Sequence, residues 1–234
     1  MIAKTKAIIL KNTNYSESSI ISKMYTREFG VRTYILQSVR KGKSAVRPSM
    51  IQPLSIVEMD VYEKPNMNMG RVKELKNVPL LINIQDDILR KSIAMFYIEV
   101  LNHCVTEEFC EEDLFDFLEA EILLLENTES LSNLPPRFLL ALSHFLGVQP
   151  QGEYGPTTPF LSINEGVFVP QEGIDTFTEK ESLFVSHLLK VKDPSEGSSL
   201  IRKRVLKQLI RYYQHHVMKN KEIKSVDILA ELLG

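Results

Sequence analysis

A chain of 234 residues, 44% hydrophobic and 25% charged, has the composition of a soluble globular protein with a sizeable core. No apolar run reaches membrane-span length, and the opening MIAKTKAIILKN is too short and too polar for a signal peptide. Cys104 and Cys110 are the only cysteines, which excludes a disulfide framework and points to a reducing, cytoplasmic setting. The net charge of −2 conceals a strong polarity. Residues 1–80 hold nine Lys and five Arg against six acids, residues 81–130 hold two bases against thirteen acids, and the remainder is almost balanced. A chain so divided is expected to present one face to a polyanion and another to something different.

The first eighty residues read as five strands: Lys4–Lys11, Ser18–Thr26, Val31–Ser38, Leu54–Glu63 and Arg71–Val78. Val31, Thr33 and Ile35 alternate with Arg32, Tyr34 and Leu36. Val57, Met59 and Val61 alternate in the same way with Glu58, Asp60 and Tyr62, the period of a half-buried strand. Between these two strands lies Ser38–Pro48, which carries Arg40, Lys41, Lys43 and Arg47 and no acid. Short antiparallel strands in this number suit a small closed barrel, either of the oligonucleotide-binding (OB) type or SH3-like.

From Asp86 the period becomes helical. Ile93, Phe96, Val100 and Cys104 recur behind Asp86-Asp87, and Leu114, Leu118, Ile122 and Leu125 stripe a second helix over Glu112–Glu126 whose acids are expected to be solvated. Pro135-Pro136 opens a third helix that Gly147 closes. Residues 148–175 break the pattern with prolines and a small hairpin, Leu161–Ile163 with Val167–Val169. Thr178 and Glu181 form a capping box for a helix running to Lys190, followed by a long helix, Ser199–Lys219, and a short one, Ser225–Leu233. The expected class is therefore α+β. A five-stranded OB-type barrel (residues 1–80) precedes an all-α bundle (81–234) with an irregular insertion at 148–175.

The residues offer no catalytic constellation. Lys41-Gly42-Lys43-Ser44 lacks the upstream glycine of a phosphate-binding loop, there is no Gly-x-Ser-x-Gly elbow, and the five His and two Cys have no metal-ligand spacing. An enzyme is not expected; binding is. Arg27, Arg32, Arg40, Lys41, Lys43, Arg47, Arg71 and Lys73 are the candidate phosphate contacts, with Tyr34 a candidate for base stacking. Arg204, Lys207 and Arg211 align on the long helix, with Arg202 and Lys203 beside them, as a second basic patch or partner site. A protein–protein adaptor built on the same barrel and bundle is the alternative.

The order of short motifs resembles the RecO family of bacterial recombination-repair proteins. Glu17-Ser18 precedes a strand; Thr26 to Gly30 match Thr-x-x-x-Gly; a basic loop ends in Lys43-Ser44; and Ile51-Gln52-Pro53 precedes the next strand. Phe96–Leu101 resembles the family's Tyr-x-x-Glu-Leu helix, while Leu146-Gly147 with Pro150 and Lys224-Ser225 with Leu229 match later positions. The resemblance implies binding of single- and double-stranded DNA, annealing of complementary strands, and loading of the RecA recombinase onto DNA coated by single-stranded-DNA-binding protein (SSB). Implied partners are RecR and the acidic C-terminal tail of SSB, with RecA engaged indirectly and no membrane. Many members carry four cysteines that bind a structural zinc after Leu-Gly-x-x-Pro, but here Gln151–Gly173 contains none. No metal or other cofactor is expected, and the hairpin is expected to pack through Phe160, Phe168 and Pro170.

Overall fold

The computed structural model describes residues 2–37, 39, 46–62, 69–106, 110–190, 197–219 and 221–232. They form two compact units, Met1–Asn127 and Thr128–Gly234. Among the described residues no helix is long and apolar enough to cross a membrane.

In the first unit β1 (Ile2–Asn14), β2 (Ile20–Thr26), β3 (Gly30–Leu36), β4 (Ile56–Tyr62) and β5 (Gly70–Asn77) close a barrel in the order β1-β2-β3-β5-β4. Only the β3–β5 seam is parallel. This is the expected OB-type barrel. The long β1 serves two neighbours, pairing with β4 through Ile2–Ile8 and with β2 through Ala7–Asn14. A register shift between Ile9 and Lys11 lets it do so, because the extra residue bends the strand and increases its twist. Ala7, Ile9, Met24, Tyr34, Leu36, Val57, Met59, Val61 and Leu75 fill the interior.

Two motifs of the sequence have a structural reason. The Thr26 hydroxyl donates to the Gly30 carbonyl (2.8 Å) and accepts the Phe29 N–H (3.1 Å), fixing a turn in which Gly30 has φ +65°. After the 3-10 turn Pro48–Ile51, Gln52-Pro53-Leu54-Ser55 makes a tight turn closed by the Ser55 N–H on the Gln52 carbonyl (2.9 Å). Leu54 adopts φ +65° there, a conformation costing a non-glycine residue about 1 kcal/mol. Full burial of its side chain and an N–H bond to the Ile9 carbonyl (2.9 Å) offset that cost.

The first unit continues beyond the change of period near residue 80 through α1 (Asn83–Asp86), α2 (Ile88–Cys104) and α3 (Glu112–Asn127). Asp87 caps α2 by accepting the Arg90 N–H (2.7 Å). Four-residue α1 was invisible in the periodicity. It exists because the buried Glu126 carboxylate, on α3, accepts the N–H groups of Ile82, Asn83 and Ile84 at 2.8–2.9 Å.

The second unit contains α4 (Leu134–Phe145), β6 (Phe160–Leu161), β7 (Phe168–Val169), α5 (Glu179–Lys190), α6 (Ser199–His216) and α7 (Ser225–Leu232). The Thr178/Glu181 capping box forms as expected. The irregular segment is held differently from the expectation, since Pro170 is exposed and Phe160 only half-buried. Leu161, Ile163, Phe168 and Phe177 are its large buried side chains, and α6 staples it. The Tyr212 hydroxyl donates to the Val148 carbonyl (2.6 Å), His216 Nε2 donates to the Ile163 carbonyl (2.7 Å), and the two rings meet at 4.3 Å, tilted by 42°. At Gly166, with φ +68°, a Cβ would lie 2.7 Å from the Tyr212 hydroxyl, so the chain passes this ring without a side chain.

Replacing Glu126 by Ala leaves three N–H groups without their acceptor and should cost about 2–3 kcal/mol in urea unfolding. Tyr212→Phe should cost about 1–2 kcal/mol by leaving the Val148 carbonyl unpaired. Dialysis against a chelator should leave the melting temperature unchanged, since side chains of the polypeptide itself brace the segment.

Candidate nucleic-acid interface

Paired residues of neighbouring antiparallel strands share a face, so the register divides the barrel into inward and outward rows. Met24 and Leu36 are core residues. Tyr34 and Arg32 fall on their side, Arg32 being opposite Met24. Tyr34 is 0% exposed, so it cannot stack on a base and is corrected from candidate ligand contact to core residue. Arg32 is half-buried at the end of the same row, and its guanidinium donates to the Val31 carbonyl (3.0 Å). The expected alternation in β3 is present, with Tyr34 and Leu36 inward and Thr33 and Ile35 outward.

Three outward rows follow. Ile8, Tyr25 and Val31 form an apolar row that is fully buried, because α2 and α3 lie over it. Asn102 of α2 donates to the Leu10 carbonyl (3.2 Å), the Tyr25 hydroxyl donates to the Glu111 carbonyl (3.0 Å), and the rings of Tyr25 and Phe115 meet at 6.2 Å. Burial pushes the Tyr25 hydroxyl up to about 12. Beyond the β1 bulge the rows Lys11–Lys23–Thr33 and Thr13–Ile21–Ile35–Arg71 are exposed or half-exposed, and Tyr62 and Ile2 extend the second row around the barrel. Tyr62 is 41% exposed, and Tyr15, in the β1–β2 turn, is 63% exposed. This open flank therefore carries Lys11, Lys23, Arg71 and two accessible tyrosines. In OB barrels the face of the second and third strands, with the adjoining loops, is suited to oligonucleotides.

The sequence reading named Arg71 from this flank and missed Lys11, Lys23, Tyr15 and Tyr62. The available signal was parity, because Lys11 and Lys23 lie opposite the inward-facing positions of their strands. Lys73 and Arg47 are exposed as well. Arg40, Lys41 and Lys43 lie outside the described residues.

The opposite flank is neutralised internally. Lys6 pairs with Glu119 (2.8 Å) and Lys76 with Glu58 (2.9 Å). A groove of about 480 Å³ there is lined by four acids and Lys4, Lys6 and Lys76. Arg27, expected on DNA, is held by α3: Nη1 contacts Glu112 (2.7 Å), while Nε and Nη2 fork onto Asp116 (2.9 and 3.1 Å). The α3 acids, expected to be solvated, are thus partly engaged. Hydrogen bonding to Arg27 holds the Asp116 carboxyl below the usual 3.8.

In the second unit Leu200, Arg204, Lys207 and Arg211 share one exposed face of α6 at i, i+4, i+7 and i+11. Arg211 pairs with Asp175 (2.9 Å) and Lys207 approaches Asp227 (3.8 Å). Arg202 is half-buried and donates to the Gly197 carbonyl, which makes it a local brace, and Lys203 is half-buried too. Leu200 is 57% exposed, and Ile228 of α7 is 56% exposed.

The depressed Asp116 group stabilises the fold above its unfolded value, near pH 4, and this contribution is lost as pH falls through the folded value. A carboxyl NMR titration should therefore place Asp116 below 3.8, and Arg27→Gln should return it upward.

Residues 1–79 match the family model "Recombination protein O N terminal" and residues 85–156 match "Recombination protein O C terminal". Curated relatives named DNA repair protein RecO align end to end: 31% identity in Flavobacterium psychrophilum and 33% in Phocaeicola vulgatus, each over 100% of both chains. Another, from Porphyromonas gingivalis, is 30% identical over 99% of each chain. The match to both halves of the family and to full-length relatives shows that this chain belongs to the RecO family of DNA repair proteins.

Proposed function

We propose that the chain is a non-enzymatic recombination mediator that binds single- and double-stranded DNA through the open flank of its barrel. The observation that carries the reading is the juxtaposition of exposed Lys11 and Arg71 with exposed Tyr62 on one barrel face. Cations at these spacings neutralise phosphates and release counterions. The tyrosines and the half-exposed Ile21 and Ile35 offer flat apolar surface to unstacked bases. Exposed Arg47 and Lys73 add cationic surface to the barrel, and the sequence offers Arg40, Lys41 and Lys43 as further phosphate contacts. Neutralising two strands together removes the repulsion that slows their annealing.

Within this reading the protein anneals complementary strands and helps to load RecA onto SSB-coated DNA, with RecR as a partner. The α6 face joins exposed Leu200 to exposed Arg204, with Lys207 and Arg211 beside them in exposed pairs with Asp227 and Asp175. That combination suits an acidic peptide ending in an apolar side chain, the chemistry of the SSB tail.

Fluorescence anisotropy of labelled single-stranded and duplex oligonucleotides over a salt series tests the DNA role. Affinity should fall with log salt at about −0.7 per neutralised phosphate for single strands and about −0.9 for duplex. Lys11→Gln with Arg71→Gln should flatten the single-strand slope by about 1.4. Tyr62→Ala should weaken single-strand binding by about 1–3 kcal/mol with the slope unchanged. Absence of binding at low salt would overturn the DNA role and leave a protein–protein adaptor.

A further inference from the structure

Helix α3 brings three carboxylates to the barrel on one face: Glu112, Asp116 and Glu119, at i, i+4 and i+7. With a rise of 1.5 Å per residue they span about 10 Å along the axis. Each is spent on a barrel cation. All three nitrogens of the Arg27 guanidinium are occupied, Nη1 by Glu112 and the Nε/Nη2 fork by both oxygens of Asp116. The Lys6 ammonium bridges both oxygens of Glu119, at 2.8 and 3.2 Å. Planar, two-oxygen ligation of an Arg fork is also the way such a group takes a phosphate. The carboxylates therefore sit where a nucleic-acid backbone would have to sit to use these cations.

The helix is fixed there by more than charge. Leu114, Phe115 and Leu118 are buried, Phe115 lies against Tyr25, and Tyr25 is bonded through its hydroxyl to the Glu111 backbone. Cys110 Sγ donates to the Glu28 carbonyl (3.4 Å) just ahead of the helix. An apolar anchor of this kind keeps the acids in place when a competing anion arrives.

We propose that α3 is a built-in phosphate mimic that occupies Arg27 and Lys6, keeps DNA off that flank of the barrel, and confines the backbone to the Lys11–Arg71–Tyr62 flank. The inference rests on the DNA-binding reading and adds its geometry: a fixed polyanion of the chain's own sets the path of the bound strand.

The test is a mutant cycle on the full chain, read by anisotropy of a labelled oligothymidylate across a salt series. Neutralising α3 (Glu112→Gln, Asp116→Asn, Glu119→Gln) should raise affinity at low salt and steepen the slope by about 1.4, the contribution of two freed cations. Removing the cations in the parent (Lys6→Gln with Arg27→Gln) should leave the slope unchanged, and combining both sets should restore the parent slope. Asp116→Asn alone, which leaves the apolar anchor with Glu112 on Arg27 and Glu119 on Lys6, should give less than half the effect. Equal slopes for the neutralised variant with and without Lys6 and Arg27 would overturn the proposal, since the gain would then be long-range net charge. Loss of slope on removing Lys6 and Arg27 from the parent would also overturn it, because those cations would already be on the DNA. Absence of binding by both parent and neutralised variant would overturn the DNA reading itself.

Discussion

The outer wall of the barrel contains one row that water cannot serve. Ile8, Tyr25 and Val31 point away from the barrel core and yet are fully buried. Left open, that row would expose several large apolar side chains, each worth about 1.5–3 kcal/mol on burial. Helices α2 and α3 exist where they do to cover it. Much else in the first unit follows from this. The Tyr25 hydroxyl, buried beneath the helices with its ring, takes the backbone of Glu111 as partner. The far end of α3 then places Glu126 where its carboxylate can cap α1, so one helix ties the end of the barrel to the start of the helices.

Covering the wall also sorts the charges. A helix with an apolar stripe on one side and acids along its margin delivers those acids to the nearest barrel cations, Arg27 and Lys6. The flank beside β4 and β5 balances itself through cross-strand pairs such as Glu58 with Lys76. The flank beyond the β1 bulge brings exposed Lys11 and Arg71 onto one surface with Tyr62. Exposed ion pairs contribute little to stability. Their consequence here is positional, because each one removes a cation from the set that a phosphate backbone can use.

The five strands and most of the helices were legible because period two and period 3.6 are written locally. The capping residues Asp87 and Thr178/Glu181 and the Thr26–Gly30 turn were legible for the same reason. The polarity of β3 was not. Val31, Thr33 and Ile35 are as apolar as Arg32, Tyr34 and Leu36, and Val31 is buried on the outside by helices, so neither set announces itself as the core face. Partnerships across long stretches of sequence were equally hidden. Arg27 and Asp116 are 89 residues apart, so a count of basic residues in the first eighty could not separate neutralised cations from accessible ones. The brace of the irregular segment draws on Tyr212 and His216, far along the chain from the carbonyls they hold.

The central claim is that α3 divides the barrel into a closed flank and an open one that takes the nucleic acid. Its most direct test is amide chemical-shift mapping of the isotopically labelled full chain during titration with an oligothymidylate. The account predicts perturbations clustered at Lys11, Thr13, Ile21, Ile35, Tyr62 and Arg71, with Lys6, Arg27 and Glu58 unchanged. Perturbations centred on Lys6 and Arg27, with the open flank silent, would contradict it.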